Sequence, residues 1–411
     1  MKRALATAAA FLAACAAWLP AHGRQAAAPG PGCEPLETRP PNAPGQRPEF
    51  PGQTRACAAP SGVPFRVEVL ARGLEHPWSV EPLPDGSLLV TERPGRMRIV
   101  SPRGEVGEPI AGLPRVDARG QGGLMDAALS PSFAQDRTIF WSYTEPRGQG
   151  RNATSVARGR LPAGGASLEQ VQVIFRSRPA HAGDKHFGSR IAVAPDGLLY
   201  VTLGERFDPS LRRHAQLLDS HLGKIVRVGP DGSAPPDDPF AAEPGALPGI
   251  WTLGHRNVQA AAFDGAGRLW IVEHGAQGGD ELNLIQKGRN YGWPLAAYGE
   301  EYSGQPIAGA ATSRPDMVSP VYYWDPVIAP SGAEFYDGDL FPAWRGSLFT
   351  GGLREKALVR LVLRGGRVVG EERLLRERGR RVRDVRQGPD GALYVVTDED
   401  RGELWRLLPD P

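Results

Sequence analysis

The segment from Lys185 to Val201, KHFGSRIAVAPDGLLYV, places one His at the mouth of an alternating apolar run, with Gly188 and Arg190 just behind it. Imidazole is the side chain whose proton affinity suits a general base near neutral pH. His186 therefore reads either as such a base or as a solvated residue at a strand edge. Further on, GHRNVQAAAFD sets Arg256, Asn257 and Gln259 before a second apolar run. A guanidinium forks onto a carboxylate and a neighbouring amide completes the hydrogen bonding, so these residues suit a planar anion bearing carbonyl groups. Surface Arg-Asn pairs are also common. EHGAQGGDELNLIQKGRNYGWP, Glu273 to Pro294, joins Asp280 and Glu281 to small residues at Gly275 and Ala276 that free backbone carbonyls, and to Tyr291 ten positions past Glu281. This is a hard-oxygen set of the kind calcium takes, or else an acidic loop closed by an Asn-Tyr-Gly turn. RVRDVRQGPDG puts Arg381 and Arg383 two apart, on one face of a strand. On a channel face two such cations need an anion opposite them; on an outer face they need nothing.

Elements able to hold these groups are visible as one recurring phrase, a turn followed by a short alternating strand. It occurs as LPDGSLLVTER at Leu83, AQDRTIFWSYTE at Ala134, APDGLLYVTLGE at Ala194, FDGAGRLWIVEHG at Phe263, AWRGSLFTGGL at Ala343 and GPDGALYVVTDE at Gly388. The Asp-Gly pairs supply positive-φ turn positions, and the alternation marks half-buried strands. Six such phrases, spaced for four-stranded units with loop insertions, predict an all-β chain folded as a six-bladed β-propeller. The alternative is a β-sandwich with coincidental Asp-Gly hairpins. A propeller carries its chemistry on loops that converge on the axis, just before or after the repeated strands.

The bulk of the sequence narrows the partners. With 48 basic and 46 acidic residues in 411 and a net charge of +2, the chain lacks the basic excess of a nucleic-acid binder. Residues 1–23 join Lys2 and Arg3 to an apolar run and then small residues, the layout of an export signal. Cleavage near Ala21 to Gly23 and lipidation at Cys15, within LAAC, are the two endings this layout allows. Either places the mature chain in the periplasm or outside the cell, without a membrane span. Residues 24–62, rich in Pro, Ala and Gly, read as a linker or surface-draped arm, and residues 63–411 as the propeller domain. Removal of Cys15 leaves Cys33 and Cys57, an even pair expected to bridge in an oxidising compartment.

Taken together, LEHPWSV, GQGGLMDAALSPSFAQ, HFGSR, GHRNVQ, GGDELNLIQKGRNYGWP, APSGAEFY and RVRDVRQGPDGALYV, in this order from about Val67 to Leu407, resemble the soluble quinoprotein aldose dehydrogenases of the glucose and sorbosone dehydrogenase family. The resemblance implies oxidation of an aldose sugar at C1 to the lactone by a monomer or homodimer that uses pyrroloquinoline quinone and Ca2+. No Cys-x-x-Cys-His haem signature is present, so electrons go to a separate acceptor. By the same resemblance His186 is the catalytic base, Gln121 faces quinone and substrate, and Arg256 with Asn257 holds the cofactor. Gly275 and Ala276 offer carbonyls to the catalytic calcium, Glu281 and Tyr291 ligate a structural one, and Tyr302 lines the cofactor. Arg381 and Arg383 answer the cofactor carboxylates. The family pattern is broken in three places. Ala276 stands where Pro is usual, Arg354 stands where a cofactor-binding Lys is usual with Lys356 as a rival, and Lys185 stands where the glucose-specific branch has a sugar-binding Asp. The rival functions are a non-catalytic propeller that only binds a partner and a calcium-dependent sugar lactonase.

Overall fold

In the computed structural model, which describes residues 33–410, each of the six recurring phrases forms the second strand of its own antiparallel sheet. An opening strand, β1 (Phe65–Leu74), precedes them. Blade one holds β2 (Pro77–Pro82), β3 (Leu88–Glu92) and β4 (Arg96–Val100). Blade two holds β5 (Leu124–Leu129), β6 (Thr138–Pro146), β7 (Asn152–Arg160) and β8 (Glu169–Arg176). Blade three holds β9 (Ile191–Val193), β10 (Leu199–Leu203), β11 (Lys224–Val228) and β12 (Ile250–Leu253). Blade four holds β13 (Val258–Phe263), β14 (Leu269–Glu273), β15 (Asp280–Leu284) and β16 (Tyr322–Trp324). Blade five holds β17 (Pro330–Phe335), β18 (Leu348–Gly352), β19 (Ala357–Arg364) and β20 (Arg367–Leu374). Blade six holds β21 (Val382–Gln387), β22 (Leu393–Thr397) and β23 (Gly402–Pro409), with β1 pairing beside β23 from Phe65 opposite Pro409 to Leu74 opposite Gly402. The protein is a six-bladed β-propeller whose ring is closed by this pairing of first and last strands.

Local chemistry explains the turns. At Gly86 and Gly197 the chain takes φ of 82° and 81°, which a side chain would resist, and each N–H donates back to the residue three before it. Burial departs from the expectation. The alternating phrases suggested strands with one wet face, yet β3, β10, β14, β18 and β22 are buried at every position. Each blade packs both faces against neighbours, so the core is a series of inter-blade layers; one joins Trp270 and Val272 of blade four to Leu348 and Val359 of blade five.

Residues 33–62 lie against the outside of blades four and five. Cys33 and Cys57 are bridged, with Cα atoms 5.6 Å apart. Just past the bridge, Ala59 N–H donates to Glu371 O and Glu371 N–H to Cys57 O, which covers the edge of β20. Gln53 is fully buried and donates to Pro320 O at 2.9 Å. Among the described residues no helix is long and apolar enough to cross a membrane. The proposed export signal and Cys15 lie outside the described residues.

Candidate active site

Innermost strands β2, β5, β9, β13, β17 and β21 surround the axis, and the loops that lead into them converge at one end of it. There they enclose a cavity of about 180 Å³ lined by Trp78, Gln121, Asn257, Gln259, Arg381 and Arg383, among others. Gln121, Asn257, Arg381 and Arg383 are thus brought together, as the sequence reading required. His186 stands at the edge of this group, 4 % exposed and at φ 50°. Its N–H donates to Gln121 Oε1 at 2.8 Å.

The imidazole Nδ1 lies 2.6 Å from Glu205 Oε1, a carboxylate the sequence reading missed. Burial pushes His186 well below the ordinary imidazole value, helped by the nearby charges of Arg256, Lys185, Arg206 and Arg212. Burial also raises Glu205, to about 7, against the pull of Arg256 and the Phe207 N–H. One proton shared between them, on Nδ1 and donated to Glu205, leaves the Nε2 lone pair free. The imidazole edge meets the Phe207 ring at 4.8 Å, which shields it from water.

Cations dominate the cavity. Arg383 donates to Asp398 at 2.6 Å and to Gln259 at 3.2 Å, while Arg381 reaches Asp398 at 3.2 Å. Burial would raise Asp398, but Arg383 and Arg381 hold it far below the usual carboxylate range, and His76 adds a bond at 3.0 Å. Arg93 also lines this space; burial lowers its proton affinity, Asp398 opposes that, and the like charges of Arg383 and Arg381 add to it. Arg381 and Arg383 thus share one carboxylate, with Arg93 feeling its charge but making no bond to it among the described residues. The Nε atoms of Arg383 and Arg256 are buried without a partner.

Arg256 sits between this cavity and a smaller void of about 20 Å³, room for about one small ion or water. Gly275, Ala276, Glu281 and Tyr291 all line that void, with Glu273. The resemblance assigned them to two calcium sites; here they share one wall. Burial, then the facing Glu273, holds Glu281 well above the ordinary carboxyl value. The Tyr291 hydroxyl is committed to Leu284 O and Gln286 N–H, which leaves a metal only its main chain. Arg256 Nη1 donates to Gly275 O. Among the described residues no three His, Cys, Asp or Glu side chains converge as a metal cluster, so a cation here depends on backbone oxygens.

Two expected residues lie further out. Tyr302 is 60 % exposed at the rim, its hydroxyl 3.5 Å from Arg256. Arg354 is exposed, and its neighbour Leu353, not Arg354, lines the cavity. Arg190, close behind His186, lies on the axis below, bonded to Asp126 at 2.7 Å.

The missed groups had a signal. Five of the six recurring phrases close on an acid: Glu92, Glu145, Glu205, Glu273 and Asp398. Three of these brace residues at this end of the axis: Glu205 holds His186, Glu273 holds the Arg256 N–H, and Asp398 holds Arg381 and Arg383.

The profile of the Glucose / Sorbosone dehydrogenase family matches residues 74–406. The aldose sugar dehydrogenase YliI of Escherichia coli is 43 % identical over 358 residues, 86 % of this chain and 94 % of that one. A crystal structure of the soluble aldose sugar dehydrogenase of Escherichia coli in its apo form superposes with a TM-score of 0.81 at 42 % identity, covering 84 % of this chain and all of the other. A PQQ-bound aldose sugar dehydrogenase from Streptomyces coelicolor superposes with a TM-score of 0.69 at 31 % identity, covering 85 % of this chain and all of the other.

Proposed function

This chain belongs to the glucose/sorbosone dehydrogenase family, and on that premise we propose that it oxidises aldose sugars at C1 to the lactone, with pyrroloquinoline quinone and calcium bound, and hands the electrons to a separate acceptor. One observation carries the reading: an excess of guanidinium groups with unpartnered buried nitrogens stands beside a His whose base lone pair is free. The residues present fit the tricarboxylate quinone. Arg381, Arg383 and Arg256 would take its carboxylates, and Asn257 and Gln121 its remaining polar edge. Main-chain oxygens of Gly275 and Ala276 would hold the catalytic calcium, with Glu281 and the Tyr291 main chain serving the structural one. Arg256 would release Gly275 O as the metal binds. Tyr302 would close the rim, and Arg354 would reach the cofactor only by turning inward.

When bound, the quinone supplies an electrophilic carbon and calcium a Lewis acid beside it. The chain supplies the rest. His186 Nε2 accepts the proton of the anomeric hydroxyl, Glu205 fixes the tautomer and steadies the charge that results, and Phe207 keeps water from the imidazole. The lactonase alternative is disfavoured because that chemistry needs carboxylates around an axial metal, and this cavity is lined by guanidinium groups. We also place the mature protein in the periplasm or outside the cell, supported by the Cys33–Cys57 bridge. Residues 24–62 are then its arm and 63–411 its catalytic domain.

The test is reconstitution. Chelated protein should oxidise an aldose, with a dye as acceptor, only after calcium and quinone are both added. Full turnover in chelator without quinone, or with a nicotinamide cofactor instead, defeats the proposal.

A further inference from the structure

Charge is distributed unevenly around the mouth of the cavity. On part of the rim Arg119 is answered by Asp117, Arg147 and Arg176 by Glu145, and Arg212 by Glu301, while exposed Lys185 stands alone over the Phe207 ring without an ion pair among the described residues. Blades five and six differ. There the β18–β19 turn and the β20–β21 loop are tied together by Arg376, 2.8 Å from Glu355, and by Arg381, which donates to Leu353 O at 3.4 Å. The two loops present exposed Arg354, Lys356, Arg376, Arg378 and Arg380 side by side. Glu355 itself is buried and shared with Arg39 and Arg373, so it offers nothing to the surface. Among the described residues no ion pair answers Arg354, Lys356, Arg378 or Arg380, and Glu377 is the one exposed acid within these two loops.

This patch adjoins the cavity, since Leu353 and Arg381 belong to both. We propose that it is the docking surface for the electron acceptor, and that the acceptor is a soluble, acidic, one-electron carrier protein. The inference rests on the dehydrogenase reading above. Oxidation of an aldose to its lactone releases two electrons and two protons. A one-electron carrier therefore docks twice per sugar, takes one electron each time, and leaves both protons to solvent, the first by way of His186. Unpaired surface cations steer an anionic partner and orient it, an effect that salt screens. Docked here, the carrier stands one layer of side chains from the cofactor cavity.

The decisive experiment uses quinone- and calcium-loaded wild type and the double variant Arg378→Glu, Arg380→Glu, whose positions lie outside the cavity. Each is titrated at low ionic strength with an acidic soluble cytochrome of the algal c6 type and with a basic mitochondrial-type cytochrome c. The proposal expects wild type to bind the acidic cytochrome at least about tenfold more tightly than the variant does, and to lose that advantage in high salt. It also expects turnover with a small neutral dye to be equal in the two proteins. Equal affinity of both proteins for the acidic cytochrome, or preference of wild type for the basic one, overturns it. Dye turnover reports separately on the dehydrogenase reading: if wild type binds the acidic cytochrome as expected yet shows no dye turnover, that reading fails while the surface stands.

Discussion

The two ends of the axial channel are built by the same six strands and face opposite charge problems. At the upper end Arg381 and Arg383 share Asp398 beside Arg93, and the Nε atoms of Arg256 and Arg383 are buried without partners. At the lower end Glu81, Glu334 and Arg386 line a cavity of about 710 Å³, and between the two ends Arg190, with its Nη2 buried and unpartnered, stacks on Trp78 and pairs with Asp126 and Asp384. Four carboxyls there meet two cations. Burial pushes Glu81 up to about 8 and Glu334 up to about 7 against the pull of Arg386, so protons make up the balance. A cluster that can neutralise itself with protons needs no ligand, whereas guanidinium groups cannot shed theirs and wait for an anion. On the proposed function, the upper cluster is the one that takes the ligand.

The sharpest way to break this contrast is at His186. His186→Gln should lower turnover by about 10² to 10⁴ while quinone binding and melting temperature stay near wild type. Wild-type kcat/KM should fall as pH drops through about 7, where Glu205, raised by burial, takes up a proton and no longer steadies the charged imidazole. A variant that keeps more than about a tenth of turnover per bound quinone removes His186 from the role of base.

Arg190→Met tests the cluster between the two ends. Removing one member of a buried ion cluster strands Asp126 and Asp384, both fully buried, and should cost about 3–5 kcal/mol of stability by denaturant titration. Arg190 also stacks on Trp78 and donates to Gln259 O beneath the upper cavity, so quinone affinity of the folded fraction should fall by less than it does in Arg383→Met. A loss of affinity as large as that of Arg383→Met, without a loss of stability, would mean that the two ends are one site.

A smaller effect concerns pH. Glu81 and Glu334 hold their protons more tightly in the folded chain than in the unfolded one, so they favour folding below about 4.5 and withdraw that contribution as pH rises through about 7 to 8. The double variant Glu81→Gln, Glu334→Gln should therefore lose less melting temperature than wild type between pH 5 and pH 8. Parallel curves for the two proteins would show that these carboxyls do not take up protons as supposed.

What could be read in the sequence was what is local. Asp-Gly turns and short apolar runs state themselves within ten residues, so six blades were legible before any packing was known. Burial of both faces of β3 or β22 was not, because the second face is covered by a neighbouring blade far away in sequence. At the site His186, Gln121, Arg256, Arg381 and Arg383 were identified through ordered motifs, while Glu205 and Asp398 were overlooked although each closes a recurring phrase. Each pair lies within one hairpin, His186 with Glu205 across β9–β10 and Arg383 with Asp398 across β21–β22, so strand register, which motif order does not state, brings them together. Pairs such as Glu281 with Glu273 depend on strand register, which motif order does not specify.

The claim that the upper end is built for an anionic cofactor is tested most directly by titrating the apo-protein with pyrroloquinoline quinone in calcium buffer, followed by quenching of tryptophan fluorescence. The account predicts one saturable site per chain with a Kd of about 1 μM or lower, weakened about 30-fold or more in Arg383→Met and unchanged in Glu81→Gln, Glu334→Gln. No saturable binding, or equal affinity of wild type and Arg383→Met, would contradict it.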